Sequence, residues 1–450
     1  MFETKNPFSL KKISDYQYIK TDITKKYVTK SAAAHVVWKT KNVDQRLNFI
    51  KNLANTLTIN RQLLAETAVN EMGKPITQAL AEVDKCKILC EFYLQNSEKF
   101  LSPKKITSDG TESYVLYEPL GVILGIMPWN FPYWQVFRFA IPTIIAGNTV
   151  MVKHASNVAG CAQLIEKLFT EAGFPDHIYT NIYVEGSSVK EIIAQPEIQA
   201  ISLTGSEKAG ASAATAAAAD IKKAVLELGG SNALIVLADA DIEKTVIEAV
   251  TARFQNTGQS CIAAKRFLVH QSVYDTFLEK FTTAVAALKS GDPMDKDTYI
   301  GPLARVDLAE EVEKQVNKSV AMGAKIVLGG KRNNAFYEPT ILTNVTPGMP
   351  VFSQEVFGPA VPVMAFNTFE EAVELSNGTE FGLGVSVFTE GIAAIKEKLH
   401  LFEEGAVFIN ALVKSDPALP FGGVKRSGFG RELAEDGIKE FVNVKTVYIK

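Results

Sequence analysis

The chain has 450 residues, enough for two or three domains, and 47% of them are hydrophobic against 22% charged, the balance of an ordinary soluble enzyme. Lysine and arginine number 47 against 50 aspartates and glutamates, and a net charge of −3 excludes nucleic-acid binding through bulk positive charge. Four cysteines with no CxxC pair and no Cys/His cluster exclude a disulfide scaffold and a zinc site, so no metal is expected and a reducing cytoplasm is the expected setting.

Residues 1–12 are polar and carry no secretory apolar core. The N-terminal quarter reads as helices: Leu47, Ile50, Leu53 and Leu57 recur at helical spacing, and Gly73 and Pro75 mark a break. Cys86 and Cys90, four apart in helical text, share one packed face. Ser108-Asp109-Gly110 signals a hairpin before Tyr114-Val115-Leu116. Between Glu118 and Arg138 no residue is charged, a length that invites a membrane reading. Pro119, Pro128, Pro132, Asn130 and Gln135 instead favour a buried strand, Val122 to Ile126, followed by a loop, so no membrane partner is expected.

From about residue 120 strands and helices alternate. Strands are expected at 149–153, 181–184 and 200–203, with a helix at 156–171 closed by Gly173 and Pro175. The turn Thr204-Gly205-Ser206 leads into an alanine-rich helix over 209–219. A second series follows Glu227, with strands at 233–237 and 267–270 and a helix at 241–254. Alternation of this kind implies an α/β fold of doubly wound parallel sheets around one cleft.

Five places in this text suit chemistry. The GxGxxG dinucleotide fingerprint is absent, since Gly382-Leu383-Gly384 and Gly428-Phe429-Gly430 lack the third glycine. The Gly205 turn follows a strand and opens a helix, so its N–H groups suit a phosphate, or it is an ordinary tight turn. Lys153 ends a strand where open sheets bind ligands, and 151–157 holds no acid, which tolerates a ribose 2′-phosphate. The alternative is a solvated lysine with Ser156 capping a helix. Cys261, in polar glycine-containing text, suits a nucleophile if a nearby cation or helix terminus lowers its pKa. Glu227, between leucines and ahead of Gly229-Gly230, suits a general base with a pKa raised by burial. Asn130, fixed between Pro128 and Pro132, suits an oxyanion donor, a role worth about 3–4 kcal/mol.

Six stretches in this order, PWNFP at 128–132, TGS at 204–206, ELGG at 227–230, GQSC at 258–261, EVFGP at 355–359 and PFGG at 420–423, resemble the NAD(P)-dependent aldehyde dehydrogenases. The resemblance runs nearly the full length. It implies Cys261 as nucleophile, Glu227 as general base, and Asn130 as oxyanion donor together with the Cys261 N–H. It implies cofactor contacts from Trp129, Lys153, Ser156, Gly205, Ser206 and the Leu228 backbone, with Glu355 and Phe357 at the nicotinamide ribose and ring. Within the family the chain looks most like the short succinate-semialdehyde dehydrogenases, through QVFRFA at 135–140, KHASN at 153–157, QSCIAAKRF at 259–267 and KSDPALPFGGVKRSG at 414–428.

That likeness implies oxidation of a small aldehyde, succinate semialdehyde above others, to the acid through a cysteine-bound thiohemiacetal and thioester. Arg138 stands where such enzymes meet the substrate carboxylate, and a buried arginine needs an anionic partner, either internal or from the substrate. Ser415 is a second implied contact. Two positions depart from relatives: Gln255 replaces a second arginine, and Ala263 replaces a cysteine used elsewhere in a redox pair. Ser156 stands where strict NAD enzymes carry glutamate, which favours NADP over NAD. The rivals are an aldehyde dehydrogenase for another small aldehyde and a cysteine acyl-transferase or thioesterase. The implied architecture is two Rossmann-like domains, cofactor-binding (1–100 and 119–229) and catalytic (230–437), with a β oligomerisation arm (101–118 and 438–450). The arm strand Val442 to Ile449, left unpaired, suggests a homodimer or homotetramer.

Overall fold

The structure, a computed structural model, describes residues 1–450. A six-stranded sheet runs in the order Gly428–Phe429, Lys223–Glu227, Ile198–Thr204, Val122–Met127, Thr149–His154 and Tyr179–Asn181. All of its pairings are parallel except the first. Successive side chains of a strand point to opposite faces, and here both faces are covered. Thus Ile123, Val150 and Val152 enter a 50-residue core shared with the N-terminal helices, while Val122, Leu124 and Met151 enter a separate 15-residue core.

The second sheet has seven strands: Lys325–Leu328, Thr340–Thr343, Ala360–Phe366, Ala264–His270, Asn232–Val236, Val385–Phe388 and Val407–Ile409. Only its first pair is antiparallel. The same alternation sends Ala233 and Ile235 to one core and Leu234 and Val236 to another. A three-stranded antiparallel arm joins Val442–Ile449 to Glu112–Pro119 and Lys104–Lys105. In open parallel sheets ligands gather at the carboxyl ends of strands. Those ends carry the PWNFP loop after Met127, the Gly205 turn after Thr204 and the Leu228–Gly230 segment after Glu227.

The uncharged stretch becomes the strand Val122–Met127, the PWNFP loop and the start of helix Trp134–Ile145, which is buried throughout. No helix is long and apolar enough to cross a membrane.

Three expectations need correction. The N-terminal quarter is not all helix: Phe2–Lys5 pairs with Lys12–Tyr16, and Phe2 stacks on Tyr16 and Tyr18. The strand expected at 181–184 is Tyr179–Asn181, drawn back by its pairing of Tyr179 with Val150. Residues 421–437 were expected with the second sheet. Instead Gly428–Phe429 pairs with Leu226–Glu227, and Phe421, Leu433 and Ile438 pack in the first sheet's core. Their apolar pattern alone did not say which core they complete.

Candidate active site

The loop before Cys261 is built under strain. Asn256, Thr257 and Gly258 follow one another at φ 55°, 55° and 73°, a left-handed run that only dense support can hold. The support is there. Asn256 N–H donates to Gln78 Oε1 at 2.6 Å, Thr257 Oγ1 donates to Gly301 O at 3.2 Å, and Ala304 N–H donates to Gln259 Oε1 at 2.9 Å. A Cβ on Gly258 would lie 2.6 Å from Gly358 O, so only glycine fits. The loop ends on Cys261, whose residue surface is partly exposed while the other three cysteines are wholly buried; its thiol points inward enough to be desolvated.

Asn130 is fastened to this loop. Its Nδ2 donates to Gln259 O at 3.0 Å, its Oδ1 accepts from Gln135 Nε2 at 3.0 Å, and its own carbonyl accepts from Asn256 Nδ2 at 2.8 Å. The bond to the Gln259 carbonyl, which can only accept, fixes which end of the amide carries N–H, and an amide has two such hydrogens. One remains for a ligand. The Cys261 N–H makes no hydrogen bond within the protein. The PWNFP loop is anchored from behind by Glu82, whose Oε1 accepts from Tyr133 N–H at 2.8 Å and Trp134 N–H at 2.9 Å. Glu82 is in turn ion-paired with the fully buried Lys74.

Two cavities meet at Cys261. One, of about 400 Å³, is lined by Trp129, Asn130, Gly205, Ser206, Leu228, Glu355 and Phe357. The other, of about 180 Å³, is lined by Arg138 and Ser415 along with Lys85, Gln255 and Phe421. Cys261 and Gln135 belong to both walls. A larger surface hollow of about 530 Å³ beside Asp241, Lys244 and Glu248 holds none of these residues.

In the first cavity the Gly205 N–H is engaged by Glu227 O at 3.0 Å, and Ser206 Oγ caps its helix by accepting from Ala209 N–H at 3.4 Å. The glycine therefore serves this turn by its bareness: only Leu203 lies near where a Cβ would stand. Gly210 lets the helix close on the sheet, since a Cβ there would meet Leu228 Cδ2 at 2.5 Å. Glu355 accepts from Gly230 N–H at 3.1 Å and pairs with Lys265 at 3.0 Å, while Phe357 meets Trp129 edge-on at 5.7 Å. Lys153 and Ser156 stand one strand further along the same sheet and outside the cavity lining. Ser156 opens a short 3-10 turn without capping it. The helix that follows, Ala159–Glu171, has its first N–H groups held by Glu71, at 2.8 Å from Gly160 and 2.9 Å from Cys161. Lys153 is mostly buried with no carboxylate beside it, and burial draws its pKa down.

Glu227 and Arg138 meet a residue that sequence reasoning did not single out. Arg138 is ion-paired with Glu432 and lies 4.5 Å over the Phe421 ring. The internal carboxylate that the sequence left open is therefore present. Glu227 lines neither cavity. It is buried with both carboxyl oxygens unpartnered, and burial plus the Glu432 charge push its pKa well up. Lys265 was also missed. Its Nζ donates to Ser260 O at 2.7 Å and Cys261 O at 2.8 Å, tying the Cys261 loop to Glu355. The Cys261 thiol itself is pushed up to about 11 by burial, against the opposing pull of Lys265 and Arg138.

The aldehyde dehydrogenase family pattern matches residues 1–447. A probable NADP(+) succinate-semialdehyde dehydrogenase of Synechocystis sp. is 49% identical over 90% of each chain. An NAD(P)+ succinate semialdehyde dehydrogenase of Escherichia coli K12 is 42% identical over 98% of this chain and 96% of its own. Among solved structures, a succinic semialdehyde dehydrogenase of Streptococcus pyogenes in complex with NADP+ superposes with a TM-score of 0.97 at 35% identity over 100% of both chains. The chain belongs to the aldehyde dehydrogenase family, whose members oxidise an aldehyde to a carboxylic acid with NAD(P) as acceptor.

Proposed function

We propose that this enzyme oxidises succinate semialdehyde with NADP, and that the two cavities divide the work. The carrying observation is the place of Cys261, on the shared wall between a cleft of about 400 Å³ and a small cavity with cationic walls. The E. coli, Synechocystis and S. pyogenes relatives bear names that agree.

The residues of the larger cavity fit a dinucleotide: an open approach at Gly205, rings at Trp129 and Phe357, and the Glu355 carboxylate. Lys153, a mostly buried cation with no carboxylate beside it, and Ser156, in a segment without acids, suit a ribose phosphate. When bound, the nicotinamide supplies the acceptor for the hydride.

The Cys261 thiolate attacks the aldehyde carbon, and the carbonyl π electrons move to oxygen. The free Asn130 Nδ2 hydrogen and the Cys261 N–H hold that oxyanion. Oxidation leaves a thioester on Cys261. Glu227 turns towards Cys261, takes a proton from water, and the hydroxide displaces the thiolate to release the acid. Arg138 and Ser415 wall the end where the substrate carboxylate sits. The arm strand Val442–Ile449, with one edge unpaired, joins a second copy of the chain in a homodimer or homotetramer. The chain works in the cytoplasm.

The test is kcat/KM for succinate semialdehyde, glutarate semialdehyde and butanal, each with NADP and NAD. Succinate semialdehyde with NADP gives the highest value on this account. A higher value for butanal, or for NAD, contradicts it.

A further inference from the structure

The small cavity holds a cation that none of the motifs marks. Lys85, Arg138 and Lys414 all line it. Its acidic neighbour Glu82 is fully engaged by Lys74 and by the N–H groups of Tyr133 and Trp134. Arg138 is matched by Glu432, and Lys414 leans on Asp416 at 3.5 Å. Lys85 forms no ion pair: its ammonium hydrogen-bonds to a neutral hydroxyl, and Glu82 and Asp416 act on it only through their charge. Its Nζ donates to Ser415 Oγ at 2.8 Å and lies 4.1 Å from the centre of the Trp134 ring. Trp134 Nε1 also donates to Ser415 Oγ, at 3.0 Å.

These contacts fix how Ser415 is used. A hydroxyl oxygen has two lone pairs and one hydrogen. Lys85 and Trp134 take the lone pairs, which leaves the hydrogen as a donor. An ammonium with two further hydrogens and a hydroxyl hydrogen thus converge in a cavity that opens on Cys261. Gln255, uncharged, is on the same wall.

We propose that Lys85, together with the Ser415 hydroxyl, is the primary contact for the substrate carboxylate. Arg138 is then chiefly the counter-charge of Glu432 and adds to the field rather than gripping the substrate. Burial, with Arg138 nearby, brings Lys85 down to about 8, against the pull of Glu82 and Asp416, so it is a cation at neutral pH. The inference rests on the reading that the substrate is a carboxylated aldehyde.

The experiment compares succinate semialdehyde with butanal in wild type, Lys85→Met, Lys85→Gln and Lys85→Arg. In Lys85→Met and Lys85→Gln the ratio of the two kcat/KM values falls by about tenfold or more, mainly through KM for the acid substrate, and Lys85→Arg restores most of it. Equal losses on both substrates, or an unchanged ratio, overturn the role of Lys85. A wild-type enzyme that does not favour succinate semialdehyde over butanal overturns the substrate reading itself, and it does so before any variant is made. Inhibition by succinate gives a readout without turnover: its inhibition constant rises in Lys85→Gln if Lys85 grips the carboxylate and stays put if it does not.

Discussion

The role proposed for Cys261 requires the thiolate, and its surroundings work against that form. Burial outweighs Lys265 and Arg138 and holds the thiol up near 11. The thiolate fraction then grows about tenfold per pH unit well below that value. Alkylation of the cofactor-free enzyme by iodoacetamide should rise in that way from pH 7 to 9 with no plateau, and a plateau near pH 7 would show that burial does not hold the thiol up. The neighbours that set this balance were unevenly legible. Cys261, Asn130, Trp129, Gly205 and Glu355 stand in recognisable local text and line one cavity. Glu432 and Lys85 do not, and Lys265, although inside QSCIAAKRF, shows no role there. Each acts across a long sequence separation, and its charge has meaning only once Arg138, Glu355 or Ser415 is beside it. The one available signal was charge in apolar text, such as Lys265 and Arg266 within a buried strand.

At the scale of elements, the nucleophile loop is the part least tolerant of change. Three left-handed residues in a row are held by Gln78, Gly301 and Ala304 from other segments. Gly258→Ala would push a Cβ into Gly358 O while keeping φ at 73°. The expected cost is about 1–3 kcal/mol in stability, with loss of turnover, because the loop must move to make room. Thermal unfolding with paired kinetics checks it, and a variant with wild-type midpoint and rate would contradict the close packing. Strands and helices of the sheets were legible because burial on both faces leaves near-continuous apolar runs with clear breaks. The Phe2–Lys5 and Lys12–Tyr16 hairpin was not. Its strands are polar, and the apolar partners of Phe2 include Tyr183, far along the chain. The segment 421–437 carries helix and strand signals that fit either sheet, and only the pairing of Gly428 with Glu227 decides.

The whole molecule places one cysteine between two cavities and leaves one sheet edge open. On the arm, Val444 and Ile449 are 59% and 45% exposed, a poor arrangement for a solitary strand edge. Val444→Lys combined with Ile449→Lys should weaken assembly, and size-exclusion elution should move to a smaller species at low concentration. A wild type that already elutes as a monomer would remove the arm's proposed role. The chemistry proposed for the cleft predicts a trappable state, since Glu227 is needed only after the thioester has formed. Glu227→Gln mixed with succinate semialdehyde and NADP should give one burst of NADPH with a slow steady state, down by about 10²–10⁴ in rate. Intact-mass analysis with peptide mapping is the direct measurement. A single succinyl group on the peptide carrying Cys261 is the predicted result. An unmodified Cys261 after the burst, or a succinyl group on another residue, would contradict the account.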